Sequence, residues 1–250
     1  MFCVKFFGGD FLRKISLNVV SAVMYFVSFF AFFILVSIDL FDDKFTRPFK
    51  FIIAVLVFAC GFGATALRCF VKKDKAYVYL MVTRTSLFLF IAYLIVVVDF
   101  MLIDDSFGRN ISNIFASSPE KISEYFKNKT NFIPFATIKL FCEGYKNDWV
   151  SYYAFAENIL GNLIVFMPFA LFVPILFRRI NNALKFFVLI SATVIFMELL
   201  QAVFLTGSAD IDDYILNVSG AMFAYMIFRI KNVKKLLKRL TFGMWYCEDK

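Results

Sequence analysis

Three aspartates within four residues, Asp210, Asp212 and Asp213, stand at the mouth of an apolar run, and Asn217 lies four residues inside it. Just upstream, Glu198 and Gln201 interrupt a second long apolar stretch. Carboxylates and carboxamides cost free energy to bury near hydrocarbon, so such residues inside apolar runs are functional candidates. Three kinds of chemistry are open to them. Oxygen ligands from Glu198, Asp210, Asp212 and Asp213 suit a hard divalent cation such as Mg²⁺ or Ca²⁺. A buried carboxyl group can act as an acid or base, which makes Glu198 and Asp213 the candidate catalytic pair. The amides of Asn158, Asn162, Gln201 and Asn217 can bind sugar hydroxyls, a lipid headgroup or phosphate. The structural alternative is a polar cluster that only clamps helices together. For Asp212 or Asp213 a further alternative is to cap the helix that follows, where the dipole favours a negative charge.

The spacings say which elements must position these groups. Glu198 and Gln201 are three apart, Asn158 and Asn162 four apart, and Asp213 and Asn217 four apart. Each pair therefore shares a face of an α-helix. Glu198 lies roughly 13 Å below the turn at Gly207, and Asn217 about 6 Å below Asp213, at the rise per residue of an α-helix. Three separate helices thus bring polar groups to similar depth on one side. The expectation is one shared polar cavity, opening outward.

Composition says what surrounds that cavity. The chain has 250 residues, is 61% hydrophobic and carries a formal charge of +8; its mean hydropathy is +0.76. Several apolar runs reach the ~20 residues that cross a bilayer. An all-α, polytopic transmembrane helix bundle of about six spans follows. The positive charge reads as a topology signal and not as a nucleic-acid surface. There is no histidine, which removes histidine general bases, histidine–nucleophile pairs and most zinc sites. Five cysteines, Cys3, Cys60, Cys69, Cys142 and Cys247, show no CxxC spacing, and no internal disulfide is expected.

Taken in order, the spans are expected at about 15–38, 49–67, 85–103, 158–177, 184–206 and 213–230. Residues 68–84 read as a basic loop. The first apolar run is too long for a signal-peptide core and is read as a retained helix. Asp99 is a weaker candidate at the membrane interface. Between spans three and four, Pro119-Glu120-Lys121 reads as a helix start. Ile122, Tyr125 and Phe126 then share a face suited to lying on the membrane. Around Asn131 and Pro134 the chain reads either as a re-entrant or interfacial turn, or as a loop anchored in the headgroups. Residues 231–250 form a basic amphipathic tail suited to an anionic leaflet. The domain organisation expected is a three-span region at 1–103, an extracytoplasmic or interfacial segment at 104–157, a three-span core at 158–230 whose motif region starts at 131, and the tail. With the N-terminus inside, about two thirds of the 27 Lys and Arg residues fall on inner segments, so both termini are expected in the cytoplasm.

The ordered set Asn131-Phe132-Ile133-Pro134-Phe135 with Thr137-Ile138, Gly161-Asn162 with Phe166 and Pro168, Glu198-Leu199-Leu200-Gln201, and Asp210-Ile211-Asp212-Asp213 with Asn217 and Gly220 resembles the VanZ-like family of bacterial membrane proteins. The resemblance covers about residues 131–220. Two departures stand out: Ala170, where the family commonly has Gly, and Gly207-Ser208, where many members have Arg. The resemblance implies a role in the bacterial cell envelope, in a family whose namesake is associated with low-level teicoplanin resistance. It carries functional weight onto Asn131, Pro134, Asn162, Glu198, Gln201, Asp210, Asp212, Asp213 and Asn217. The function expected is to bind or modify an envelope lipid, a lipid-linked glycan or a lipoglycopeptide in the inner membrane. The alternatives are a metal-assisted enzyme acting on a headgroup or glycan, and a carrier. The nearly unbroken apolar stretch 218–228 speaks against a carrier.

Overall fold

The computed structural model describes residues 3–41, 47–103 and 119–245 of the chain. They are helical almost throughout. Helix α1 is Cys3–Phe41, α2 is Arg47–Val71 and α3 is Lys75–Val98, continued by a wide π turn at Asp99–Ile103. Helix α4 is Pro119–Asn128, followed by the short strand β1, Thr130–Asn131, and by α5, Ala136–Lys146. Next come α6 (Tyr152–Phe155), a second π turn (Ala156–Gly161), α7 (Asn162–Val165) and α8 (Phe169–Leu176). Helix α9 is Ala183–Phe204, strand β2 is Ala209–Asp210, α10 is Ile211–Arg229 and α11 is Lys231–Leu240.

Among the described residues, five stretches are long and apolar enough to cross a membrane: Arg13–Leu35, Ile52–Val71, Lys75–Leu102, Tyr152–Leu176 and Ala183–Phe204. Phe26, Phe33, Ile52, Leu184, Val188 and Val203 on these stretches all face outward, as lipid-facing side chains of a membrane protein do. The sixth expected span corresponds to α10, which is not among the five. It is 19 residues long and carries Asp212 and Asp213 in its first turn and Arg229 in its last, so its polar ends leave a shorter apolar run. The expected basic loop at 68–84 is helical except at residues 72–74. Lys and Arg are good helix formers, and the Asp74 carboxylate accepts the Tyr77 backbone N–H at 2.8 Å, starting α3 early.

The chain divides into two compact units, Met1–Tyr93 with Arg239–Met244, and Leu94–Lys238 with Trp245–Lys250. In the first unit α1 packs along α2. Their seam is polar in places: Ser21 Oγ donates to the Ala64 carbonyl at 3.0 Å and Ser28 Oγ to the Val57 carbonyl at 2.8 Å, while Thr65 Oγ1 of α2 bonds Thr85 Oγ1 of α3 at 2.7 Å. Small hydroxylated side chains allow backbones to approach and bond across helices in a membrane.

In the second unit α10 is the hub, touching α5, α7, α8 and α9. One approach explains a glycine. A Cβ placed on Gly220 would lie 1.7 Å from the Leu163 carbonyl oxygen, so the α10 and α7 backbones meet where no side chain fits. A second explains the end of the chain. Pro174, inside α8, has no N–H to give the carbonyl four residues earlier. That carbonyl belongs to Ala170, and it accepts the Trp245 indole N–H at 3.1 Å instead. Trp245 is fully buried. The tail expected as a basic amphipathic helix therefore includes α11 and then a tryptophan that repairs a proline break.

Candidate functional site

The site is built first from a turn. Ile133, Pro134, Phe135 and Ala136 close as in a type II turn, the Ala136 N–H donating to the Ile133 carbonyl at 3.3 Å. Phe135, at the third position, has φ 66° and ψ 5°. That position normally takes glycine, because a left-handed residue with a Cβ is strained. The Asn131 side chain starts the turn: its Oδ1 accepts the Ile133 N–H at 3.0 Å, and its Nδ2 donates to Thr137 Oγ1 at 3.0 Å. Phe132, Ile133 and Phe135 are 76%, 70% and 61% exposed, so the turn forms an apolar ridge. Pro134 lies exposed at its tip.

What pins the ridge is Asp212. Its carboxylate accepts the backbone N–H of Phe135 at 2.5 Å, of Thr137 at 2.8 Å and of Ile138 at 3.0 Å. These are the unsatisfied donors at the start of α5, whose own N-cap residue, Phe135, offers no side-chain acceptor. Asp212 thus caps α5 from a different helix, with the α5 dipole adding to the attraction. Asp210 caps α10 itself, its Oδ1 accepting the Asp212 N–H at 2.9 Å. Asp210 also accepts from Asn131 Nδ2 at 3.1 Å and from Thr137 Oγ1 at 2.5 Å. Strands β1 and β2 pair in parallel, Asn131 opposite Asp210, and bring these groups together. The helix cap expected from Asp212 or Asp213 is therefore supplied by Asp210.

A second polar group lies on α10 and α7. Asn162 Nδ2 donates to Asp213 Oδ1. Asn217 is fully buried; its Nδ2 donates to the Asp213 backbone carbonyl at 2.7 Å, while its Oδ1 is shielded from solvent and meets no donor among the described residues. A buried amide oxygen without a donor costs stability, so it is a polar atom that a ligand could satisfy.

Glu198, on α9, has both carboxylate oxygens shielded from solvent. Tyr125, on α4, is buried near it. Burial pushes the Tyr125 phenol up to about 12, and the neighbouring Glu198 carboxylate adds to that rise. Sequence reasoning placed Tyr125 on a membrane-lying face with Phe126. Phe126 is indeed exposed, but Tyr125 turns inward, and Ile122 has a side chain outside the described residues. Nothing in the local pattern signals that turn, because two adjacent aromatics fit either orientation.

The remaining candidates go elsewhere. Gln201, one helical turn from Glu198, donates its Nε2 to the Met101 carbonyl in the first π turn at 2.9 Å. Asn158 is exposed and its amide bonds the Ala154 carbonyl of its own helix at 2.9 Å. It lies in the second π turn, where the wider winding breaks the α-helical arithmetic that aligned it with Asn162. Among the described residues no three His, Cys, Asp or Glu side chains gather as a metal-ligand group. The metal candidates Glu198, Asp210, Asp212 and Asp213 thus do not form one ligand set, and Asp210 and Asp212 spend their oxygens on Asn131, Thr137 and backbone donors.

A curated protein described as Protein VanZ, from Enterococcus faecium, is 29% identical over 84 residues, a stretch covering 34% of this chain and 52% of that protein. The match thus spans about half the length of that relative. No solved structure matches the chain. The family model described as VanZ/LLP1 matches residues 90–232, more than half of the chain, and includes the pinned turn, both π turns and all of α10. The chain is a membrane protein that belongs to the VanZ/LLP1 family.

Proposed function

We propose that the protein binds an amphiphilic envelope molecule, a lipid, a lipid-linked glycan or a lipoglycopeptide, at the outer face of the bacterial cytoplasmic membrane. The polar part would meet Asn162, Asp213 and Asn217, and the apolar part the ridge of Phe132, Ile133 and Phe135. The observation that carries this reading is Phe135. A bulky residue kept in a left-handed conformation costs of order 1–3 kcal/mol and persists where its surroundings over-determine it. Here three backbone bonds to Asp212 fix the turn, and the ring they display is exposed. A ring that the fold does not need for its own packing, displayed at an energetic cost, is suited to a partner. The relative's name, Protein VanZ, and the association of the family's namesake with teicoplanin resistance make teicoplanin a first probe.

The test separates binding from folding. Phe135→Gly relieves the backbone strain, and Asn217→Leu removes a buried amide. Both variants should melt at or above the wild-type temperature, yet lose protection in a teicoplanin susceptibility assay and lose binding of teicoplanin to protein-containing vesicles. Wild-type behaviour of both variants in both assays would sink the proposal. For orientation, we place Ser208 outside and both termini inside. Cysteine at position 208 should react with an impermeant reagent on whole cells, and reaction only after lysis would invert the assignment.

A second reading is favoured by the shielded Glu198 carboxylate beside Tyr125: acid–base catalysis on a bound headgroup or glycan. Under it, Glu198→Gln changes the lipid and glycan profile of cells as deletion of the protein does, with expression intact. A wild-type profile removes it.

A further inference from the structure

The first unit contains a cavity of about 410 Å³, lined by Arg13, Lys14 and Lys73 together with Leu17, Phe70 and Val71. It plays no part in the site described above. Its height in the membrane follows from the sequence of the two helices: in α1 the apolar run starts just after Arg13 and Lys14, and in α2 it ends at Val71, just before Lys72 and Lys73. The cavity therefore sits where both helices leave the hydrocarbon. Its size falls within that of small-molecule sites.

Among the described residues that line it, three are cations and none is a carboxylate. The nearest acid in sequence after Lys73 is Asp74, whose carboxylate is bonded to the Tyr77 N–H at the start of α3. Lys72 stands over the Tyr77 ring, 4.4 Å from its centroid, whereas Lys73 lies 5.9 Å from the centroid of Phe70, a cavity wall. Like charges gathered without a counter-charge repel one another, and an anion relieves that repulsion. The other three walls are apolar, so the complementary ligand carries an anionic head on an apolar body.

We propose that this cavity is a site for one anionic phospholipid, its phosphate between Arg13, Lys14 and Lys73 and its upper acyl chain along Leu17, Phe70 and Val71. With the N-terminus inside, as proposed above, the cavity faces the cytoplasmic leaflet, whose anionic lipids draw basic pockets between membrane helices. The apolar walls favour a lipid over free phosphate, which would leave them wet.

The test is native mass spectrometry of the full chain in a non-ionic detergent, titrated with phosphatidylglycerol or with phosphatidylcholine of the same acyl chains. The wild type should bind its first phosphatidylglycerol about tenfold or more tightly than phosphatidylcholine. Arg13→Gln/Lys14→Gln/Lys73→Gln should lose that preference, and Lys72→Gln, changing a neighbouring cation outside the cavity, should keep it. All three substituted residues are exposed, so the variant is expected to melt as the wild type does. Should the triple variant melt lower, Lys14→Gln and Lys73→Gln singly should each weaken the preference. A wild type with no preference, or substituted proteins that retain it, overturns the proposal. So does inorganic phosphate that displaces phosphatidylglycerol, which would mark the cavity as a site for soluble anions.

Discussion

Asp212 offers the sharpest quantitative test, because its carboxylate is fully buried and accepts three backbone donors of the turn and of α5. Hydrogen bonds to a charged acceptor contribute about 1.5–3 kcal/mol each. Taking the lower end for all three, Asp212→Ala destabilises the docked turn by about 4.5 kcal/mol, since three donors lose their charged acceptor. Asp212→Asn retains one acceptor oxygen. It can keep Thr137 and Ile138 on that oxygen, but it turns an NH₂ toward the Phe135 N–H, for a loss of about 2 kcal/mol. The readout is hydrogen exchange of the peptide covering residues 131–146, with the protein in lipid nanodiscs. At about 1.4 kcal/mol per tenfold, Asp212→Ala opens the turn roughly a thousandfold more often and Asp212→Asn roughly thirtyfold. Asp213→Asn serves as the control, because Asp213 Oδ1 accepts from Asn162 on α7; exchange at 131–146 should then match the wild type. If Asp212→Ala leaves the amides of Phe135, Thr137 and Ile138 as protected as before, the trans-cap does not exist and the reasoning about the ridge fails with it.

Three further outcomes follow from the packing. Gly220→Ala puts a methyl 1.7 Å from the Leu163 carbonyl oxygen; forcing two backbones apart costs about 3 kcal/mol or more, read as a lower melting temperature in detergent. Trp245→Phe leaves the Ala170 carbonyl without its donor, at a cost of about 1–3 kcal/mol. In a Pro174→Ala background, where the helix regains its own N–H, the same change should cost less, and a double-mutant cycle on melting measures the coupling. The Tyr125 phenol is raised from 10.0 to about 12. Its neutral form is the one the fold favours, so that contribution is complete below pH 10 and is lost as pH climbs toward 12. Tyr125→Phe should therefore flatten the fall in melting temperature across that window, and an unchanged alkaline fall would contradict the placement of the phenol.

The sequence by itself determined the solvent. Apolar runs long enough to cross a bilayer, interrupted by few charges, leave a helix bundle as the architecture, because every backbone polar group in lipid must be bonded within its own segment. It also determined where polar residues interrupt that pattern, and around Pro134 it offered a turn as one of two readings, the other being a loop anchored in the headgroups. What it could not assign was the partner of each polar group. Asp212 reads equally as a metal ligand, a ligand-binding residue or a cap for its own helix; its bonds to residues about 75 positions away decide that it caps α5. Asn158 and Asn162 look aligned by α-helical spacing, and only the π winding separates them. Pro174 and Trp245 are ordinary membrane residues until the fold sets an orphaned carbonyl opposite an indole N–H. Local pattern reports how much each residue resists burial, whereas hydrogen bonds depend on which segments cross within 3 Å or so of one another, and that is a property of the packed chain. The aspartates at the head of α10 were legible as important from their types and position. Only the tertiary structure assigned two of them to holding an exposed aromatic ridge in place and left the third facing Asn162.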